Sequence, residues 1–227
     1  MLLLLTMILI AGGAVGSTVA WLIANTTSVV NTFTYGDIKI ELIEEDSGVD
    51  DDGDQNTNDY EMVPGAEIEK NPTITVSAGS EECWLFVKLE KAGTVSVEQG
   101  DGTTKSYGFD DYLTYSLDND WTQLYDEQNS KVEGVYYLRV NFDTGDFVHN
   151  VLKDDKITVL DSVEKPMLDA LDRDTDAGSV SYPQLTVTAY AVQYVGFEPE
   201  TSTGASAPTE EQTNAAALKA WNVIADD

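Results

Sequence analysis

Short runs of alternating polar and apolar residues recur along the chain, and they restrict the fold more than any other feature. In residues 37–42, for example, Ile38, Ile40 and Leu42 alternate with charged side chains. A period of two puts one set of side chains on a buried face and the other in solvent, as in a half-buried strand. The runs that we predict as strands are 37–42, 73–77, 84–89, 135–142, 156–160 and 185–192.

The segments between these runs favour turns, and helical signals are few. Clusters such as 64–65 and 100–102 are rich in glycine, proline and aspartate. Short strands joined by such turns are typical of an antiparallel β-sandwich. A short helix is predicted within 162–172, in the part that follows Pro166. A C-terminal helix is predicted after Thr209, a suitable N-cap, with Leu218 and Trp221 on one face. The predicted fold is all-β, an antiparallel sandwich with short helical decorations and a C-terminal helix.

The N-terminus has the pattern of an export signal. Residues 1–23 carry no charge, and an apolar run gives way to small residues that end at Ala20. Small residues at positions −3 and −1 indicate cleavage between Ala20 and Trp21. The basic residues that normally precede the apolar run are missing, so we expect the natural start to lie upstream of Met1. An uncleaved membrane anchor is the alternative, but the apolar run is short and interrupted by glycines.

This signal sets the expected organisation of the chain. We predict a signal peptide at 1–20, a sandwich domain at 21–197, and a linker with a short helix at 198–227. The sequence contains no second hydrophobic span near its C-terminus and no Leu-Pro-x-Thr-Gly sorting signal. A secreted protein with no stable membrane anchor after cleavage is therefore the expectation.

The charge of the chain excludes several classes of partner. It contains 12 Lys and Arg against 41 Asp and Glu, a net charge of −29. Nucleic acids and anionic membranes bind proteins through cationic side chains, so neither is an expected partner. Divalent cations and basic molecules are favoured instead.

Two acidic loops are candidate calcium sites, because calcium prefers carboxylate and carbonyl oxygens. Their aspartates are Asp50, Asp52 and Asp54 in the first loop and Asp172, Asp174 and Asp176 in the second. Neither loop has EF-hand spacing: with Gly53 at position six, position one is Gly48, and in the second loop Gly178 comes two residues late. A solvated acidic turn is the alternative in both places. We predict no other cofactor.

The residues required for common catalytic sites are scarce. The chain has one histidine, His149, and one cysteine, Cys83. A zinc site with two histidines is therefore excluded, as is an intramolecular disulfide. A pairing of Cys83 with His149 has no supporting motif. Since Cys83 begins an apolar run, we predict that it is buried, and we predict that the protein is not an enzyme.

Several segments resemble the TasA/camelysin family of secreted proteins, whose signals are processed by the peptidase SipW. The resemblance lies in residues 30–42 (VNTFTYGDIKIEL) after a signal that ends in GSTVAW, and in 60–65, 68–72, 80–88, 185–193 and 220–222, in that order along the chain. It covers nearly the whole sequence. The common order of these motifs carries the resemblance.

The resemblance implies a jelly-roll-like sandwich, export by a Gram-positive bacterium, and a structural role in extracellular fibres of the biofilm matrix. It implies a homopolymer, in contact with other matrix proteins, in which the N-terminal segment 21–33 of one subunit adds as a strand to the next. The apolar residues of that segment are Trp21, Leu22, Ile23, Val29, Val30 and Phe33.

Three alternatives remain open. Residues 21–33 can instead pair within their own sandwich as its first strand. The chain can be a monomeric secreted module that binds calcium or carbohydrate. A secreted peptidase, the activity attached to camelysins, is the most distant, because one histidine removes the usual zinc site.

Overall fold

The computed structural model describes residues 38–44, 62–141, 145–172, 181–201 and 207–225, and these are mainly antiparallel strands. The strands are β1 (Ile40–Ile43), β2 (Glu67–Glu69), β3 (Thr73–Val76), β4 (Cys83–Glu98), β5 (Thr104–Gly108), β6 (Leu113–Leu117), β7 (Thr122–Tyr125), β8 (Lys131–Val140), β9 (Phe147–Asn150), β10 (Leu152–Val159) and β11 (Ser181–Gln193). The helices are α1 (Phe109–Tyr112), α2 (Lys165–Asp172) and α3 (Glu210–Ala225). The predicted β-rich fold with a C-terminal helix is confirmed at this level.

The described strands form three antiparallel sheets. The largest has the order β11-β4-β8-β7, and we call it the central sheet. Its longest strand, β4, spans 16 residues, pairs with β8 through its first part and with β5 through its last part. The other two sheets have the orders β1-β3-β9 and β2-β10-β6. All six runs that we predicted as strands coincide with strands, namely β1, β3, β4, β8, β10 and β11.

Both faces of the first part of β4 are buried, as the apolar composition of residues 84–89 predicted. Cys83, Leu85 and Val87 point into the main core, which all three sheets share. Trp84 and Phe86, on the opposite face, belong to a second cluster under α3. Complete burial of a large apolar side chain contributes about 1.5–3 kcal/mol, so both faces of β4 contribute to stability.

Helix α3 covers the outer face of the central sheet. Its buried face includes Leu218 and Trp221, the two residues predicted to share one side of the helix. The start of the helix is a capping box: the Thr209 hydroxyl accepts from the Gln212 N–H at 3.2 Å, and Gln212 Oε1 accepts from the Thr209 N–H at 2.9 Å. The predicted cap is therefore confirmed, and the helix of 16 residues is packed on the sheet.

Helix α2 begins two residues earlier than predicted. It starts at Lys165, so that Pro166 lies inside its first turn and not before it. Proline is tolerated there because the first N–H groups of a helix have no intrahelical acceptor to lose. The buried residues Met167 and Leu171 attach this helix to the main core.

Candidate functional site

Most of the predicted site residues lie outside the described residues. This holds for the cleavage site at Ala20 and Trp21, for the rest of the segment 21–33, and for the first acidic loop. In the second loop, Asp172 is the last residue of α2, its side chain is not described, and Asp174 and Asp176 lie outside. Among the residues that are described, no three histidine, cysteine, aspartate or glutamate side chains come together in a way that could hold a metal ion.

Cys83 is completely buried in the main core, as predicted. Burial raises the pKa of its thiol to about 12, because a thiolate there would lose its hydration. The reactive form of cysteine is the thiolate, so this side chain is inert at neutral pH. Cys83 acts as a small apolar core residue.

His149 lies on β9 among aromatic rings. Its ring stacks on Phe147 at 6.3 Å and meets the edge of Trp121 at 6.4 Å. Nδ1 is 3.8 Å from Asp120 Oδ2, while the buried Nε2 has no hydrogen-bond partner among the described groups. Burial lowers the pKa of His149, although Asp120 opposes this effect. The neutral imidazole therefore packs as part of this aromatic group.

We expect His149 to make the protein less stable in acid. Its native pKa lies below the ordinary value of 6.5, so the unfolded chain takes up the proton more readily and stability falls as the pH drops below about 6.5. Each unit of difference between the two pKa values contributes about 1.4 kcal/mol. Urea unfolding at several pH values should show that His149→Phe removes this part of the acid sensitivity. A constant difference between wild type and variant from pH 7.5 to 5 would contradict the expectation.

The sheet edges are the remaining candidates for a functional site. An edge strand presents unpaired N–H and C=O groups, which another chain can use for pairing. In the described part of the chain, the central sheet ends at β7 on one side and at β11 on the other. These two edges differ in length, composition and covering.

The β7 edge is occupied by a side chain of α3. The backbone N–H of Tyr125 donates to Asn214 Oδ1 at 2.9 Å, and Asn214 Nδ2 donates to the Tyr125 carbonyl at 2.9 Å. The side-chain amide thus takes the place of a neighbouring strand at this residue. Strand β7 has only 4 residues, and its register with β8 shifts between Gln123 and Tyr125.

An open cleft of 1340 Å³ runs beside β7 and the start of α3. Its acidic lining residues are Asp120, Asp126, Glu127, Glu210 and Glu211. Its two cations already have acidic partners, since Arg139 pairs with Glu82 at 3.2 Å and Lys219 pairs with Glu200 at 2.9 Å. The cleft therefore presents negative charge and favours a cationic ligand over an anionic one.

The edge formed by β11 differs from the β7 edge in length and composition. Strand β11 has 13 residues, and among the described strands it pairs only with β4. Its sequence, SYPQLTVTAYAVQ, contains no charged residue. Side chains on both of its faces are buried, with Leu185 and Val187 in the main core and Val192 under α3.

Sequence reasoning missed the role of Asn214, because its partner lies 89 residues away along the chain. Nothing in the local sequence of α3 distinguishes this asparagine from one that is simply exposed.

Within the described residues, no helix is long and apolar enough to cross a membrane. Comparison with known proteins found no matching family model, no matching curated protein and no matching solved structure.

Proposed function

We propose that this protein is a secreted structural subunit of extracellular matrix fibres, similar to TasA, and that it polymerises with itself. In this proposal residues 21–33 of one subunit add as a strand to a sheet of the next. The described sheets then belong to a jelly-roll-like sandwich, and the source is a Gram-positive bacterium. Other matrix proteins are further candidate partners.

The observation that carries the proposal is the length of β11, a strand of 13 residues that pairs only with β4 among the described strands. The N-terminal segment has the composition of a strand that could add to such an edge. Added strands gain main-chain hydrogen bonds from the edge, while their alternating side chains fill pockets on the acceptor. The segment contains Trp21, Val29, Val30 and Phe33, apolar side chains that a solvated tail does not need. The order of motifs that resemble TasA adds independent support.

Export supports the same function. Residues 1–36 carry no charge, and the small residues that end at Ala20 match a signal peptidase site. Cleavage there would create a new apolar end at Trp21. We infer that maturation exposes the segment that assembles, so that polymerisation follows export.

Catalysis has little support among the described residues, and we propose that the protein is not an enzyme. The thiol of Cys83 is buried, and His149 packs against aromatic rings. A camelysin-like peptidase would therefore have to use other residues. Peptidase activity that disappears in His149→Ala or Cys83→Ala would contradict this part of the proposal.

The fibre proposal is tested with protein that begins at Trp21. We expect negative-stain microscopy to show filaments, and we expect deletion of residues 21–33 to reduce sedimentable polymer by about tenfold or more, since the added strand supplies the contact between subunits. Circular dichroism of both proteins checks that the deletion leaves the fold intact. Equal assembly of the folded deletion variant would rule out strand donation from this segment.

A monomeric binding module is the second candidate, and the acidic cleft beside β7 favours it. The carboxylates of Asp120, Asp126 and Glu127 line this cleft together with the ring of Tyr125. Aromatic rings suit carbohydrate stacking. The carboxylates of the described cleft do not come together as a metal site, so calcium would have to bind at the acidic loops predicted from the sequence. A rise in melting temperature with calcium or a sugar, at constant particle size and without filaments, would favour this function over the fibre.

A further inference from the structure

We infer that Asn214 blocks the β7 edge against a second copy of this chain, which would otherwise pair its own β7 with this strand and extend the central sheet. The blocking contact lies within one chain, between α3 and β7. This role of Asn214 therefore does not depend on the proposed fibre function.

The side chain of Asn214 ends in a carboxamide, the same group that each peptide bond contributes to a β-sheet. Its Oδ1 accepts from the Tyr125 N–H at 2.9 Å, and its Nδ2 donates to the Tyr125 carbonyl at 2.9 Å. In an antiparallel pair of strands, two residues that face each other exchange these same two bonds. Asn214 thus replaces one residue of a neighbouring strand, but its side chain has no further backbone groups with which to continue the sheet.

A second side-chain amide bonds the backbone beside Tyr125. Gln123 Nε2 donates to the carbonyl of Leu124 at 3.0 Å, and to the carbonyls of Val132 and Val135 on β8 at 2.9 and 3.0 Å. These bonds lie where the register between β7 and β8 shifts. Together the two amides bond three consecutive backbone groups of β7, namely the Leu124 carbonyl and both groups of Tyr125.

The position of Asn214 within α3 also indicates a role outside the helix. Asparagine is a weak helix former, and the next three residues of α3 are alanines, the best helix formers. Asn214 is not needed as a cap, because Thr209 already accepts from the backbone of the first turn. The bonds to Tyr125 therefore explain an asparagine at this position better than the helix does.

The β7 edge is long enough to pair if it is freed. Strand β7 has 4 residues, and β1, β3 and β9 form a sheet with 4 residues each. An antiparallel pair of two β7 strands is a symmetric contact, the commonest kind between identical chains. An unblocked edge of this kind is a template for a second copy.

Charge is a further barrier at the same edge, and salt separates it from the effect of Asn214. Asp120 and Asp126 lie on either side of β7, so that two β7 strands paired antiparallel bring Asp126 of one copy toward Asp120 of the other. Salt screens this repulsion, because the Debye length falls from about 10 Å at 0.1 M to about 3 Å at 1 M. At about 1 M salt, Asn214 is therefore the main barrier to pairing.

The first experiment compares Asn214→Ala with Asn222→Ala in the chain that begins at Trp21, at about 1 M sodium chloride. Asn222 is exposed on the same helix, so both changes favour the helix and only the first removes the amide at β7. In dilute Asn214→Ala we expect the Tyr125 amide to exchange about tenfold or more faster than in wild type. At high protein concentration it should slow again by about tenfold or more, as β7 pairs with β7. In wild type and Asn222→Ala its rate should not depend on concentration.

Two results of this comparison would overturn the inference. Fast exchange at every concentration in Asn214→Ala, shown to be folded by urea unfolding, would mean that Asn214 only holds α3 in place. Slowing with concentration in the wild type would mean that the edge is open despite Asn214. Asn214→Asp supplies a second variant, because it keeps the acceptor for the Tyr125 N–H and should keep this amide slow at all concentrations. Fast exchange there would show that this oxygen is not the acceptor in solution, which also overturns the inference.

The second experiment identifies what occupies the freed edge. A spin label on Thr122→Cys reports on β7 alone, since Cys83 is buried and does not react. In Thr122→Cys/Asn214→Ala at high concentration we expect a distance between labels of two copies below about 25 Å, because paired strands lie about 4.8 Å apart. In Thr122→Cys alone this short distance should be missing. Protection of β7 without the short distance would mean that another segment fills the edge, which overturns pairing of β7 with β7.

Discussion

Replacing Lys70 with methionine is expected to lower the free energy of unfolding by about 3–5 kcal/mol, one of the two largest effects that the structure predicts for a single substitution. The Lys70 side chain is completely buried, and its Nζ donates to both carboxylate oxygens of Glu44 at 2.9 and 2.8 Å. Without the ammonium, the Glu44 carboxylate stays in the interior and loses the charge and both hydrogen bonds that Lys70 supplies. Most of the loss comes from keeping that carboxylate buried without the Lys70 charge.

The double substitution Lys70→Met/Glu44→Leu is expected to be far milder, close to the wild type in stability. Desolvation is the largest influence on Lys70 and lowers its pKa, although Glu44 favours the charged form. The attraction between the two charges therefore exceeds the cost of removing them from water by only a small margin. An apolar pair of similar volume avoids that cost. A thermodynamic cycle from urea unfolding at pH 7 measures the coupling of the two residues.

A surface pair supplies the control. Lys165 and Asp169 are 2.6 Å apart on α2, but the Lys165 side chain is 83% exposed. Lys165→Met should therefore change the stability by less than about 0.5 kcal/mol, as expected for pairs of this spacing in solvent. A similarly small effect of Lys70→Met would mean that the buried ion pair does not form in solution.

The strands that could be predicted from sequence are those whose alternation lasts long enough to show which face is buried. Five strands escaped prediction, β2, β5, β6, β7 and β9, and each has 5 residues or fewer. A period of two over so few positions cannot be told from chance, whereas the alternation around the 4-residue strands β1 and β3 extends past them, over 37–42 and 73–77. They are edge strands, which neighbouring strands stabilise more than their own composition does.

Two side-chain contacts could not be predicted, because each joins distant parts of the chain. Lys70 meets Glu44 across 26 positions, and Asn214 meets Tyr125 across 89. In the sequence, Lys70 follows an alternating stretch and has the appearance of a solvent-facing charge. By contrast, the burial of Cys83 was predictable, because it starts a run of apolar residues whose alternate members face opposite sides of β4.

Replacing Trp221 with alanine is the second large effect, an expected loss of about 3–5 kcal/mol. The indole lies between the central sheet and α3, with its ring 5.4 Å from Phe86 and 5.5 Å from Tyr190. Its removal leaves a cavity that neighbouring alanines of the helix cannot fill. Urea unfolding followed by fluorescence, together with amide exchange in α3, measures whether the whole fold or the helix alone is loosened.

Val223→Ala is the matched control on the same helix. Val223 is 47% exposed, and alanine has the higher helix propensity, so this change should be neutral or slightly stabilising. A loss below about 1 kcal/mol for Trp221→Ala would show that α3 is only loosely attached.

A large loss of stability has a consequence for assembly. A detached α3 would uncover Trp84 and Phe86 and release Asn214 from β7. Trp221→Ala should then aggregate without order, because the apolar outer face of the central sheet and the β7 edge become available.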